Sequence, residues 1–377
     1  MSLGQPITNK MIDFSFLVYY IKFTCSATVD YSDVMLDMLM NAAVSTAIGR
    51  IEIQQVEKPV PFSGEALIKV HYCGICGSDL AGFQYGDPYA AFPHVFGHEA
   101  SGEIAELGSP SDQLKAGDRV VYDISRACGE CRACKEGRTG HCSNFRLIGG
   151  HLPGAFAQYV KVPYRNIYKL PDDMPYELGA ICEPYTVASR ACMRAEIKKG
   201  DNILILGAGS IALCVIALAK ELGGNVFVAT RKDSRLERAK MFGPDILINT
   251  EKEDMFKRIM QLTDGEGCNV IIDATGVKSV IEDAERYISP GGHLVILGTC
   301  TEHVSFNAFN ILLKEIKIIG SKHSSGQYPA IIDALYRGKL HGDKYVTDVF
   351  PYERAQEAVE YAIANAGVCG KVLLRFE

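Results

Sequence analysis

The spacing of apolar residues changes period at several points along the chain, most sharply between Asp201 and Leu222. Ile203, Leu204, Ile205 and Leu206 form an unbroken apolar run, the pattern of a strand covered on both faces. Ile211, Val215, Leu218 and Leu222 then recur at helical spacing. The pattern predicts a strand, a tight turn and a helix. The turn is Gly207, Ala208 and Gly209: the first glycine permits the reversal and the second lets an anion approach the backbone. The first N–H groups of the helix, from Ser210 and Ile211 onward, face that anion with the helix dipole behind them. A dinucleotide pyrophosphate fits this arrangement, with Ala212 standing where the fingerprint tolerates Ala as its third small residue. The same pattern can join a strand to a helix with no ligand, so the surrounding chain has to decide.

Downstream, Ile246 to Ile248, Val270 to Asp273 and His293 to Leu297 are short apolar runs separated by helical segments, and Ile316 to Gly320 closes the rhythm. That is the signature of a doubly wound parallel sheet in an α/β fold. Upstream the period is two. Asn41 to Val70 alternates like paired strands (IGRIEIQQVEKPVP, then ALIKVHY), with Pro59, Pro61 and Gly64 marking the turn between them. A β-rich domain is predicted there. A length of 377 residues exceeds the usual limit of a single core, so two domains are expected. Met11 to Cys25 is apolar but broken by Asp13 and Lys22, too short and too charged to span a membrane. A signal peptide is the alternative, but no small-residue cleavage site follows cleanly. Residues 1–39 read as a dispensable extension or a start codon called too early, with Met40 the natural beginning.

Composition narrows the classes. A net charge of -6 offers no basic field for nucleic acid. Thirteen cysteines would suggest disulfides in a small secreted chain, but four are clustered at metal spacing and most others sit singly in apolar runs. A reducing cytoplasm is the simpler home.

The candidate chemistry begins at CGICGSDL, Cys73 to Leu80, followed by FGHEASG, Phe96 to Gly102. A thiolate at Cys76 and an imidazole at His98 are ligands that tetrahedral zinc prefers, and both lie beside glycines that free the backbone to converge. Cys73 with Cys76 could instead form a redox C-x-x-C, but no thioredoxin-like pattern surrounds it. Cys128, Cys131, Cys134 and Cys142, spaced C-x2-C-x2-C-x7-C, are the most specific cluster. Their loop has no apolar core of its own, so a metal is needed to fold it, and a closed four-thiolate site is structural. His141 is an adjacent bystander. In AICEPYTVA, Glu183 could complete a Cys-His-Glu site that leaves a position open for water or alcohol. Cys182 is the rival ligand.

CGICGSDL, FGHEASG, GDRV at Gly117 to Val120, the four-cysteine lobe, ICEP and GAGSIA occur in that order. Together they resemble the zinc-containing medium-chain alcohol dehydrogenases, and within them the polyol branch of sorbitol and sugar-alcohol dehydrogenases. The likeness runs from Met40 to Phe376. It implies a Rossmann sheet plus a discontinuous, β-rich, GroES-like catalytic domain. The expected bounds are 40–187 for its first part, 188–319 for the nucleotide-binding domain and 320–377 for the return segment. It implies two zinc ions per chain: a catalytic one on Cys76, His98 and Glu183, with Glu99 as a direct or indirect partner, and a structural one on the four cysteines. It also implies hydride transfer between an alcohol and a nicotinamide, with zinc acting as a Lewis acid on the substrate oxygen. A homodimer or homotetramer paired through the nucleotide-binding sheet is the expected assembly.

Three departures from that family stand out. Ser78 matches the hydroxyl that starts the usual proton relay, or else it caps a local turn. The His or Tyr that many relatives carry next in the relay is replaced by Ala81 and Gly82, leaving Glu99 or a water chain to move the proton. Thr230 stands where relatives carry an acid for the ribose 2′-OH of NAD, and Arg231, Lys232 and Arg235 would attract a 2′-phosphate. NADP is therefore expected over NAD, unless these cations form only a solvated helix entrance. His323 stands where sorbitol-type relatives often have an Arg, or else is a surface loop residue. Arg190 and Arg194 are candidates to hold a substrate phosphate, although exposed helical arginines usually hold nothing. The substrate expected is a polyol or sugar alcohol, phosphorylated or not. A simple alcohol or threonine-type dehydrogenase, and a silent relative that binds zinc and NADP(H), are the alternatives.

Overall fold

The computed structural model describes residues 38–324 and 326–376. The expected extension over residues 1–39 lies outside them apart from Met38 and Leu39. From Met40 onward the chain forms one compact unit.

The first half is β-rich: β1 (Leu39–Ala47), β2 (Arg50–Glu57), β3 (Glu65–Gly74), β4 (Glu99–Leu107), β5 (Arg119–Tyr122), β6 (Ser125–Arg126), β7 (Arg146–Leu147), β8 (Tyr159–Pro163) and β9 (Ile167–Lys169). The middle carries β10 (Asn202–Leu206), β11 (Asn225–Thr230), β12 (Ile246–Asn249), β13 (Cys268–Asp273), β14 (Ile288–Ile296) and β15 (Lys317–Gly320). The chain ends with β16 (Val346–Pro351) and β17 (Lys371–Arg375).

The middle strands make a six-stranded sheet in the order β12-β11-β10-β13-β14-β15, and every pairing in it is parallel. Ile203 and Ile205 face one core while Leu204 and Leu206 face another, so the unbroken apolar run is buried on both sides as predicted. Truncating any of these four to Ala would cost about 2–5 kcal/mol.

The outer segments share a seven-stranded sheet ordered β16-β17-β3-β4-β5-β9, with β8 also on β3. The last strands of the chain thus complete the sheet that the first half began. One pairing differs from the sequence reading. β2 pairs with β1, across a turn whose Gly49 has a φ of 73°, and not with β3. β3 takes β4, β8 and β17 as neighbours instead. Its run EALIKVHYCG is buried at most positions, as suits a central strand, whereas β2 alternates between half-buried and exposed. Prolines and a glycine after β2 marked a break between sheets, a distinction that alternation alone does not make.

Three helices position the functional groups. They are α1 (Gly77–Tyr85), α2 (Cys182–Arg194) and α3 (Ser210–Glu221). α1 follows β3 directly, α2 runs through residues 187 and 188, and α3 follows the glycine turn. Among the described residues no helix is long and apolar enough to cross a membrane.

Candidate active site

Cys76 is the N-cap of α1, and its backbone N–H donates to Asp79 Oδ2 at 2.9 Å in a capping box. The other oxygen of Asp79 accepts from the Gly97 N–H at 3.3 Å and lies 3.4 Å from His98 Nδ1. The helix cap of one ligand candidate therefore orients the ring of the next. With Nδ1 held by a carboxylate, Nε2 is left to face a metal, the arrangement usual for a ligating histidine. Burial alone would lower the His98 pKa, but the carboxylate of Asp79 and the thiolate of Cys76 outweigh it and raise it well above the ordinary value. Those are also the groups that would favour a metal cation in the proton's place.

Donor atoms of Cys76, His98 and Glu99 lie within 4.8 Å of one another. A soft thiol, an imidazole and a carboxylate at that separation fit a tetrahedral zinc with a position left open. Glu99 opens β4 opposite Gly74 of β3, where a Cβ would collide with its carboxylate. Its oxygens lie 2.7 and 2.6 Å from the Lys371 ammonium, which also donates to the Ile75 carbonyl at 3.1 Å. Both residues are at most 2% exposed. Burial would lower the Lys371 pKa, but Glu99 reverses that and raises it.

Glu183 lies in the first turn of α2, buried, but it is not one of the three donors gathered within 4.8 Å. Burial pushes its carboxyl up to about 8; His98 and Lys371 oppose the shift and Glu99 adds to it. It therefore neighbours the trio. Cys182, its rival, is wholly buried and points its thiol at the Leu178 carbonyl at 3.5 Å. Ser78 is exposed in the first turn of α1, and the cap there is made by Cys76 and Asp79. His323, in a left-handed conformation at φ 49°, stacks on Phe145 with ring centroids 5.3 Å apart. Burial brings its pKa down to about 4, helped by Lys322, His98 and Arg190. The return segment thus sets it, half-buried, against Phe145.

The four cysteines Cys128, Cys131, Cys134 and Cys142 also converge within 4.8 Å. Sulfur separations of 3.4 Å (Cys128 to Cys142) and 4.0 Å (Cys128 to Cys134) are too long for disulfides. They bracket the roughly 3.8 Å edge of a tetrahedron built on zinc–sulfur bonds. Backbone N–H groups of Cys128, Cys131 and Asn144 donate to sulfurs in the set at 3.3–3.4 Å. Such donors favour thiolates: those of Cys134 and Ser143 bring Cys131 down to about 6.

In the glycine turn, Gly207 has a φ of 97°, in the region glycine favours, and a Cβ at Gly209 would meet open space. Gly209 caps α3, so the turn leaves room for a pyrophosphate beside the N–H groups of Ser210 and Ile211. The Ser210 hydroxyl is 2.6 Å from that of Tyr345, which ties this turn to the return segment. Thr230 ends β11. Arg231 and Lys232 are exposed and Arg235 half-buried around the start of a fourth helix, α4 (Asp233–Lys240).

Asp79 and Lys371 escaped the sequence reading. Asp79 had a signal, an acid three residues after an N-cap. Lys371 had none, since its partner is 272 residues away.

A parallel nucleotide-type sheet, joined to a β-rich half that gathers thiol, imidazole and carboxylate, defines the class: a metal-binding, nicotinamide-dependent oxidoreductase. Residues 63–172 match the alcohol dehydrogenase GroES-like domain and residues 210–337 the zinc-binding dehydrogenase domain. Sorbitol dehydrogenase of Bacillus subtilis is 34% identical over 89% of this chain and 97% of that enzyme. L-threonine 3-dehydrogenase of Pyrococcus horikoshii is 33% identical over 85% of this chain and 94% of its own. An alcohol dehydrogenase of Escherichia coli CFT073, solved with NADH, superposes with a TM-score of 0.85 at 30% identity, covering 90% of this chain and 100% of that one. A zinc-binding dehydrogenase of Sinorhizobium meliloti bound to NADP gives 0.84 at 30%, covering 90% and 99%. The chain belongs to the zinc-dependent medium-chain alcohol dehydrogenase family.

Proposed function

We propose that this protein transfers a hydride between a secondary alcohol of a polyol or sugar alcohol and NADP. The observation that carries the reading is the convergence of Cys76, His98 and Glu99, with Glu183 buried beside them. Zinc there supplies Lewis acidity toward the substrate hydroxyl, and the nicotinamide supplies the hydride acceptor. The chain's own residues do the rest. Asp79 fixes the His98 ring, Lys371 pairs with Glu99 under the site, and the buried Glu183 carboxyl, with its pKa pushed up to about 8, is suited to exchange a proton. Ser78, exposed beside Cys76, is available to pass that proton outward. A second zinc on Cys128, Cys131, Cys134 and Cys142 holds the lobe.

NADP is favoured because Thr230 itself carries no charge to repel a 2′-phosphate. The nearest following acid, Asp233, is held by Lys252 at 2.5 Å and by Asn249 at 2.6 Å. Arg231, Lys232 and Arg235 form no ion pair among the described residues, which leaves them for a phosphate. The domain bounds 40–187, 188–319 and 320–377 are part of this reading, as is a cytoplasmic location. So is pairing of copies along the nucleotide sheet. β15 is an edge strand, and the preceding helix α5 (Ala308–Lys314) exposes Phe309, Leu312 and Leu313.

The test is cofactor reduction with a panel of polyols, simple alcohols and L-threonine, run with NADP and NAD before and after chelation. Chelator-sensitive turnover of a polyol with NADP is the expected result. Preference for L-threonine or a simple alcohol would replace the substrate, and tighter NAD binding would overturn the reading of Thr230. Thr230→Asp is expected to move the cofactor preference toward NAD by about tenfold or more, through repulsion of the 2′-phosphate.

A further inference from the structure

The return segment grips the nucleotide-binding half at two points. A short helix, α6 (Gly342–Tyr345), leads into β16 and ends on a tyrosine that is 0% exposed. Arg238 of α4 donates through Nη2 to the carbonyls of Lys344 at 2.6 Å and Tyr345 at 3.3 Å. The Tyr345 hydroxyl lies 2.6 Å from that of Ser210, in the first turn of α3. α6 therefore touches both the helix that follows the Thr230 loop and the helix that follows the glycine turn. Packing fixes the phenol in place. The rings of Tyr185 and Phe242 meet the Tyr345 ring edge-on, with centroids 5.4 and 6.4 Å away. The Tyr185 hydroxyl donates to the Leu340 carbonyl, which anchors the chain just before α6.

A buried phenol needs an acceptor for its proton. Among the described residues Ser210 Oγ is the one oxygen bonded to the Tyr345 hydroxyl. Cys214, one turn further along α3, offers only a thiol, which is a weak acceptor. A phenol is also far more acidic than an alcohol, so Tyr345 donates and Ser210 accepts. The serine's own proton then has no acceptor among the described residues. Ser210 is half-buried beside Gly209, where a Cβ would meet open space, so that proton is free for an anion held at the turn. Accepting one hydrogen bond also strengthens the one a hydroxyl donates.

We propose that Tyr345 is a positioning residue for the dinucleotide: it donates to Ser210 Oγ and so aims the Ser210 hydroxyl at a pyrophosphate oxygen. The return segment thereby takes part in cofactor binding without touching the cofactor. The inference rests on the dinucleotide reading of the glycine turn and is independent of the alcohol substrate and of the choice between NADP and NAD.

The experiment measures calorimetric Kd values on the zinc-loaded enzyme for NADP, NAD and adenosine 2′-phosphate, which has no pyrophosphate. The variants are Ser210→Ala, Ser210→Thr, Tyr345→Phe and the Ser210→Ala/Tyr345→Phe double variant. Ser210→Ala is expected to weaken both dinucleotides by about tenfold, the loss of one hydrogen bond to a charged group, and Ser210→Thr to restore most of it. Tyr345→Phe is expected to weaken them by about threefold or more, and the double variant to be no weaker than Ser210→Ala alone. Adenosine 2′-phosphate should bind every variant like wild type. A second readout leaves Tyr345 in place, in case Tyr345→Phe does not fold. The labelled tyrosine Cζ resonance that Ser210→Ala displaces in the free enzyme is expected to shift when a dinucleotide binds wild type. Wild-type affinity in Tyr345→Phe, additive losses in the double variant, or no such resonance shift overturns the proposal and leaves the dinucleotide reading intact. Losses shared by adenosine 2′-phosphate overturn it as well, since they report general damage. A wild type that binds neither dinucleotide overturns the reading of the turn and the proposal with it.

Discussion

Cys128, Cys131, Cys134 and Cys142 meet within one short loop, whereas Cys76, His98 and Glu99 come from a helix cap and a strand start and lean on Lys371 from the far end of the chain. In the lobe backbone N–H groups are aimed at sulfur. At the open site Asp79 orients the imidazole and Lys371 pairs with the carboxylate. On the proposed reading a metal would be the core of the lobe but a tenant of the open site. The difference would be between a cluster that is folded by its ligand and one that is folded for it.

That contrast can be broken in four ways. The largest effect is expected from His98→Ala, which should lower kcat by about a thousandfold or more while removing one zinc equivalent and leaving the lobe resistant to trypsin. Turnover close to wild type would mean that the open site is not the reacting centre. Next comes Lys371→Met. Leaving Glu99 buried and unpaired should cost about 3–5 kcal/mol in denaturant unfolding, and adding Glu99→Gln should recover much of it. A loss that the second substitution does not relieve would assign Lys371 to packing and not to charge.

Cys131→Ser should act the other way round. It is expected to make the bonds after Lys135 and Arg138 about tenfold more sensitive to trypsin, as chelation does, with the melting of the nucleotide sheet little changed. Equal protection with and without metal would refute a metal-folded lobe. The smallest effect concerns Glu183. Its carboxyl pKa is raised from 4.5 to about 8, so the folded chelated protein holds a proton that the unfolded chain releases. Stability is then fully present below about pH 4.5 and is lost as pH rises through about 8. Glu183→Gln should flatten that decline in melting temperature. An unchanged pH profile would detach Glu183 from the electrostatics of the site.

Much of this was legible before any coordinates. The run Ile203 to Leu206 and the turn Gly207 to Gly209 announce a two-sided strand and an anion-accepting helix start, because burial on two faces and a change of period are local properties. The four-cysteine spacing is equally local. The pairing of β2 was not, since alternation tells which face is buried and not which strand lies beside it. Nor was the standing of Glu99 and Glu183. Both carboxylates sit next to motif residues, but only their distances from Cys76 and His98 separate the one that joins the donors from the one that stands beside them.

The sequence by itself determined the class, the four-cysteine cluster and the absence of an acid at Thr230, because each depends on residue type at short spacing. Tertiary structure alone decided which charges face each other. Lys371 reaches Glu99 because β17 returns to pair with β3, and the Ser324 hydroxyl reaches Asp123 across 201 residues of chain. Coulomb energy depends on distance through space, and chain separation carries no information about it.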